Sequence, residues 1–199
     1  MRVLFLPGMG GASSFWAPVA KSMPSSYERI MIDWPGLGPV PASDAVQCFD
    51  DLVRLARTHL DEPTAVVAQS MGGAVALRVA LDPSAVVTHL VLCATSGGLD
   101  MTSLGATDWR PDYRKRWPEA PTWAFEPIGD VSEELSFLRV PTLLIWATND
   151  PVSPVAVGQH LASILPMARL RLLEASDHMF ASSHSGDVAS LITEHLATP

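Results

Sequence analysis

The sequence predicts an α/β fold: a reduced, mainly parallel sheet of about six strands with helices on both faces. Three observations lead there. Short runs rich in Val, Ile and Leu recur along the chain, and they are nearly continuous rather than alternating, as strands buried on both faces require. Between several of these runs, apolar residues recur at steps of three and four, the period of an amphipathic helix. Strand, helix and strand in repetition close into an open sheet through right-handed crossovers.

The first strand is Arg2–Leu6 and leads into the glycine-rich Gly8-Met9-Gly10-Gly11. The second is Glu28–Asp33, followed by Trp34-Pro35-Gly36-Leu37-Gly38. Behind Ser43 as N-cap, Val46, Phe49, Val53, Ala56 and Leu60 mark one face of a helix. Thr64–Gln69 is the third strand, and the helix after it runs over Met71–Leu81, stopped by Asp82-Pro83 because proline disfavours helix in the preceding residue. Val87–Cys93 is the fourth strand and Thr142–Trp146 the fifth. A helix follows Ser153 with Pro154 at its first position, where the missing N–H costs nothing. Leu170–Leu173 is the sixth strand, and a last helix after Gly186 carries Val188, Leu191, Ile192 and Leu196. The stretch from about residue 98 to 129 breaks the alternation. It holds Trp109, Trp117 and Trp123 among four prolines and has no clean period, so it reads as a lid inserted into a single domain spanning 1–199.

Bulk properties narrow the function. The 199 residues are 48% hydrophobic and 17% charged, with mean hydropathy +0.22, which describes an apolar globular chain. Thirteen basic against 21 acidic residues give a net charge of −8 without a basic run, which argues against nucleic acid as a partner. No apolar stretch approaches the length of a membrane span, and Val3–Leu6 is too short for the apolar core of a signal peptide. Cys48 and Cys93 have the spacing of neither a disulfide framework nor a metal site, so a cytoplasmic location, no metal and no cofactor are expected.

The chemistry begins at Ala68-Gln69-Ser70-Met71-Gly72-Gly73, where the third strand turns into a helix. A serine held on a sharp turn there needs small residues two before and two after it, and Ala68 and Gly72 supply them. Its hydroxyl is a weak nucleophile until a base accepts the proton. Among six histidines, His59, His160 and His195 fall in helices and His89 at a strand entrance, whereas His178 follows the last strand directly. Loops at the carboxyl ends of parallel strands are where an open α/β sheet gathers its site. Asp150, just past the fifth strand, is placed to orient His178; Asp100 and His184 are the alternatives for acid and base. The loop at Gly8 lacks both the G-x-G-x-x-G spacing and the Walker Lys-Ser/Thr of phosphate cradles.

Taken together, these segments resemble the α/β-hydrolase family. Ala68-Gln69-Ser70-Met71-Gly72 is similar to its G-x-S-x-G nucleophile elbow with alanine in the first position, and Ser70, Asp150, His178 follow its chain order. Leu6-Pro7-Gly8-Met9-Gly10-Gly11, with Trp16 downstream, resembles its His-Gly-x-x-Gly loop with Pro7 in the histidine position; by that resemblance the N–H groups of Met9 and Met71 form the oxyanion hole. Asp33–Gly38 resembles the family's Asp-x-Pro-Gly-x-Gly loop, which has a structural role. The resemblance implies a serine hydrolase that cleaves a carboxylic ester or thioester of a small molecule with an activated carbonyl, through an acyl-enzyme on Ser70. Carbon–carbon bond or lactone hydrolysis would use the same three residues, and a hydrolase-like binding protein without turnover is the alternative of another class. Trp109, Trp117 and Trp123 are candidates for the pocket wall, against the alternative that they pack beneath the lid.

Overall fold

Six parallel strands form one sheet in the order β2-β1-β3-β4-β5-β6: β1 Arg2–Leu6, β2 Glu28–Met31, β3 Thr64–Gln69, β4 Val87–Cys93, β5 Thr142–Ala147 and β6 Ala168–Leu173. The computed structural model describes residues 1–99 and 101–198. β3 and β5 are buried along their whole length, which is why they read as unbroken apolar runs, whereas the edge strand β6 is exposed or half-buried throughout. This is the open parallel sheet with helices on both faces that the sequence predicts.

The two faces of the sheet are read alternately from the strands. Leu4 and Leu6, Val66 and Ala68, Leu90 and Leu92, and Leu144 and Trp146 point to one side. They pack on Leu52 and Ala56 of α2 (Phe49–Arg57), on Val75 and Leu77 of α3 (Met71–Leu81), and on Val157 and Leu161 of α6 (Val155–Ile164). The intervening Val3, Phe5, Ala65, Val67, Val91 and Ile145 face α1 (Ala17–Ser22) through Val19, and α8 (Ser185–Leu196) through Val188 and Ile192. Each strand of the centre therefore feeds two cores, and a one-residue slip would exchange them.

β1, β3, β4 and α3 have the bounds expected from the sequence; other boundaries moved. The helix placed behind Ser43 begins only at Phe49. Its N-cap is Cys48, and the Asp51 carboxylate reaches back to the N–H groups of Gln47 and Cys48 at 2.8 and 3.1 Å, so a reciprocal acidic cap outcompetes the serine. Ser43 instead closes a local turn by accepting from Ala45 N–H, and Val46 is buried without being helical. Pro154 is the N-cap of α6 rather than its first helical residue. Short helices over Arg110–Arg116 (α4), Ser132–Leu135 (α5) and Phe180–Ser183 (α7), like α1, hold seven residues or fewer, too few to show a hydrophobic period in sequence.

The strand order places a topological switch between β1 and β3. From β1 the chain moves outward to β2, then returns past β1 to β3, so the loops leaving β1 and β3 diverge to opposite faces and leave a crevice above their carboxyl ends. Pro7–Gly11 leaves β1 there and Ser70 leaves β3.

Candidate active site

Ser70 occupies a backbone conformation that L-residues rarely adopt, φ 52° and ψ −124°, between the last residue of β3 and the first of α3. Such a conformation costs on the order of 1–3 kcal/mol and persists only where the surroundings impose it. Here they do. Ser70 N–H extends the β3–β4 ladder to the Cys93 carbonyl at 3.0 Å, while the Ser70 carbonyl accepts from Gly73 N–H at 2.9 Å and from the Thr95 hydroxyl at 2.6 Å. The turn has no room for side chains beneath it. A Cβ on Gly72 would lie 2.3 Å from the Pro7 carbonyl oxygen, and one on Gly73 2.4 Å from Thr95 Oγ1. The methyl of Ala68 is accommodated in the core.

His178 and Asp150 arrive on the loops after β6 and β5. Those loops are held by backbone bonds from Thr148 N–H to the Leu173 carbonyl and from Asn149 N–H to the Ala175 carbonyl, at 2.9 and 3.0 Å. The carboxylate of Asp150 is fully buried. Its Oδ1 accepts from Val152 and Ser153 N–H at 2.8 and 3.1 Å, and its Oδ2 lies 2.7 Å from His178 Nδ1. An ionised carboxylate only accepts, so Nδ1 carries the proton and Nε2 presents its lone pair. Nε2 is buried and has no hydrogen-bond partner among the described residues, Ser70 Oγ included. Gln69 Nε2 donates to the His178 carbonyl at 3.2 Å, tying the residue before the serine to the histidine. Asp177 instead shapes the exposed loop by accepting from Met179 N–H. His184 is engaged with Ser183 Oγ and does not line the cavity that holds Ser70 and His178; Asp100 lies outside the described residues.

Two peptide planes complete the floor of this site. Gly8 accepts from Gly11 N–H at 3.0 Å, and because a trans peptide opposes its C=O and N–H, the Met9 N–H is turned away from that bond. The same argument applies to Ser70: with its carbonyl held by Gly73 and Thr95, the Met71 N–H points the other way, and it belongs to the first turn of α3, whose donors have no intrahelical partner. Met9 and Met71 line one cavity with Ser70 and His178. Thr95 was not singled out by the sequence. It follows β4 with no motif around it, and its role becomes visible only once β4 lies beside β3.

A model of the alpha/beta hydrolase family matches residues 3–133. The chain belongs to that family. The match includes Ser70 and ends before Asp150 and His178. Among curated proteins, it is similar to the pimeloyl-[acyl-carrier protein] methyl ester esterase of Legionella pneumophila, 21% identical over 231 residues that cover 98% of this chain and 95% of the relative. Among solved structures, a meta-cleavage product hydrolase (CumD) of Pseudomonas fluorescens superposes with a TM-score of 0.75 at 18% identity, covering 98% of this chain and 90% of that one. The esterase EaEST of Exiguobacterium antarcticum does so with 0.76 at 16% identity, covering 99% and 92%. These two likenesses are of fold.

In this α/β-hydrolase the cavity at the switch point measures about 550 Å³. From the inserted segment, Leu99, Met101, Trp109, Trp123 and Ile128 supply its lining with apolar surface and Asp108, Arg110 and Glu126 with polar groups. Trp109 and Trp123 thus face the cavity. Trp117 does not: it is the C-cap of α4, set against the Arg116 guanidinium. Phe125 stacks on Trp109 with ring centroids 6.1 Å apart and takes the Arg114 guanidinium on its face at 4.2 Å. Phe49, read from the sequence as a core residue of α2, also lines the cavity, with Arg78 over its ring. Among the described residues, no helix is long and apolar enough to cross a membrane.

Proposed function

We propose that this hydrolase cleaves carboxylic esters or thioesters by two-step acyl transfer on Ser70. His178 Nε2 takes the proton from Ser70 Oγ as Oγ bonds to the substrate's carbonyl carbon. The carbonyl oxygen becomes an oxyanion held by the Met9 and Met71 N–H groups. When the tetrahedral adduct collapses, the bond to the leaving oxygen or sulfur breaks and His178 returns the proton to it. Water, deprotonated by His178, then attacks the acyl-enzyme, and the acid leaves with Ser70 Oγ reprotonated. Asp150 stabilises the imidazolium of each step and keeps Nδ1–H directed at itself.

The observation that carries this reading is the 2.7 Å contact of a buried carboxylate with His178 Nδ1, which leaves Nε2 without a partner among the described residues, on a histidine that lines the same cavity as Ser70 on its strained turn. Similarity to a methyl ester esterase supports ester substrates, and Leu99, Met101, Trp109, Trp123 and Ile128 of the inserted segment, acting as a lid, offer apolar surface for an uncharged acyl group. A fluorophosphonate probe should label the wild-type protein rapidly and Ser70→Ala not at all. Ser70→Ala and His178→Ala should each lower p-nitrophenyl ester turnover by up to about 10⁶-fold, without adding to each other. An unlabelled, folded wild-type protein would point to a binding protein instead.

A further inference from the structure

The loop that carries Met9 is held at four places by its own neighbours. Gly11 N–H bonds to the Gly8 carbonyl, Ala12 N–H to the Gly10 carbonyl at 2.8 Å, Trp34 Nε1 donates to the Pro7 carbonyl at 2.6 Å, and Trp34 N–H donates to the Gly11 carbonyl at 2.8 Å. None of these holds the peptide between Met9 and Gly10, which sits at the exposed tip of the loop. That peptide is held from elsewhere. The Tyr113 hydroxyl, on α4 of the inserted segment, donates to the Met9 carbonyl at 2.8 Å and accepts from Gly38 N–H at 3.0 Å. Gly38 in turn presses on the tip from below, since a Cβ there would meet the Gly10 carbonyl oxygen at 2.1 Å. One hydroxyl therefore joins three segments that are remote in sequence.

The Met9 N–H lies in the Gly8–Met9 peptide plane, which Gly11 holds at the Gly8 carbonyl; the next plane, Met9–Gly10, is joined to it through the Met9 φ and ψ, so fixing the Met9 carbonyl holds the second of the two planes that meet at the donor residue. Tyr113 is itself held by ring contacts, its centroid 5.7 Å from Trp109 and 5.9 Å from Phe125, both edge-on. Trp109 lines the cavity. We propose that Tyr113 is a positioning residue that couples the inserted segment to the Met9 oxyanion donor, so that the segment which contacts the acyl group also sets the donor's aim. The proposal rests on the acyl-transfer reading above.

Tyr113→Phe removes the hydroxyl and keeps the ring. Kinetics on a p-nitrophenyl ester, affinity for a boronic acid that forms a tetrahedral adduct on serine, and amide hydrogen exchange read the effect together. The expected result is a kcat lower by on the order of tenfold, less than the 10²–10³ for outright loss of a donor, with KM nearly unchanged. Boronate affinity should weaken by the same factor as kcat/KM, and exchange should quicken across residues 8–12. Phe125→Leu, which loosens the rings but spares the hydroxyl, should lower kcat less. An unchanged kcat, a KM effect alone, or exchange at 8–12 equal to wild type would overturn the proposal, as would Phe125→Leu matching Tyr113→Phe in every readout. If the wild-type serine takes neither fluorophosphonate nor boronate, the acyl-transfer reading fails; the exchange measurement still tells whether the hydroxyl holds the loop.

Discussion

Asp150→Asn isolates the part of the site that controls which nitrogen of His178 bears a proton. The substituted amide has one oxygen and one NH₂ group, and it must choose which faces His178. If NH₂ took the place of Oδ1, it would confront the N–H groups of Val152 and Ser153, which lie 2.8 and 3.1 Å from that oxygen. Two donors, one part-buried and one buried, would then lose their acceptor, at about 1–3 kcal/mol for the buried one and less for the other. Keeping the oxygen there costs only a change of histidine tautomer. The NH₂ group should therefore donate to Nδ1, which must become the acceptor, and the proton moves to Nε2, where it blocks attack by Ser70. A loss of about 10⁴ in kcat follows, equivalent to about 5 kcal/mol of transition-state stabilisation, in a protein whose melting temperature has hardly moved. Steady-state ester hydrolysis alongside the rate of fluorophosphonate labelling measures it. If Asp150→Asn keeps more than a tenth of wild-type kcat, the Asp150–His178 contact does not control the tautomer and the mechanism is wrong.

Gly72→Val places a branched side chain where even a Cβ would be 2.3 Å from a backbone oxygen of the β1 exit, so the variant should fail to fold or lose activity; circular dichroism and ester hydrolysis check this, and a folded, fully active variant would show that the turn is not constrained. Trp109→Ala and Trp123→Ala should change the preference for acyl length, at about 1–3 kcal/mol per methylene gained or lost, whereas Trp117→Ala should leave the profile unaltered. Measuring kcat/KM over esters of increasing acyl length decides it, and identical profiles for all three would remove these side chains from the pocket. His195 of α8 has its imidazole held below the ordinary 6.5, by burial first and by the adjacent His89 second. The unfolded chain then binds the extra proton more readily, so this contribution to stability is complete above about pH 6.5 and is lost as pH falls through the folded value. The melting temperature should drop on acidification from about pH 7.5 to 5, and His195→Phe should flatten that slope; an equal slope in the variant would assign the effect elsewhere.

How much was legible in the sequence differs by element. Thr64–Gln69, and a helix from about Met71 to Leu81, were readable because burial on both faces imposes an unbroken apolar run, and because Asp82-Pro83 stops the helix. The start of α2 was not, since Ser43 and Cys48 are both plausible caps locally, and only Asp51 reaching back to Gln47 and Cys48 selects one. At the site, Ser70, Asp150 and His178 could be nominated because each follows a strand and strand ends are recognisable from local composition. The groups that hold them could not. Thr95 lies beside Ser70 through the pairing of β3 with β4, Tyr113 reaches Met9 across 104 positions, and Trp109 and Trp123 line the cavity while Trp117 does not, Trp109 and Trp117 capping opposite ends of α4 and Trp123 lying on the separate turn after it. Which residues can form strands, helices and the sharp strand-to-helix turn at Ser70 is a matter of backbone sterics and hydrophobic pattern, and the sequence by itself determined that. Which hydroxyl orients which peptide plane depends on contacts within about 3 Å between remote segments, and only the tertiary structure decided it.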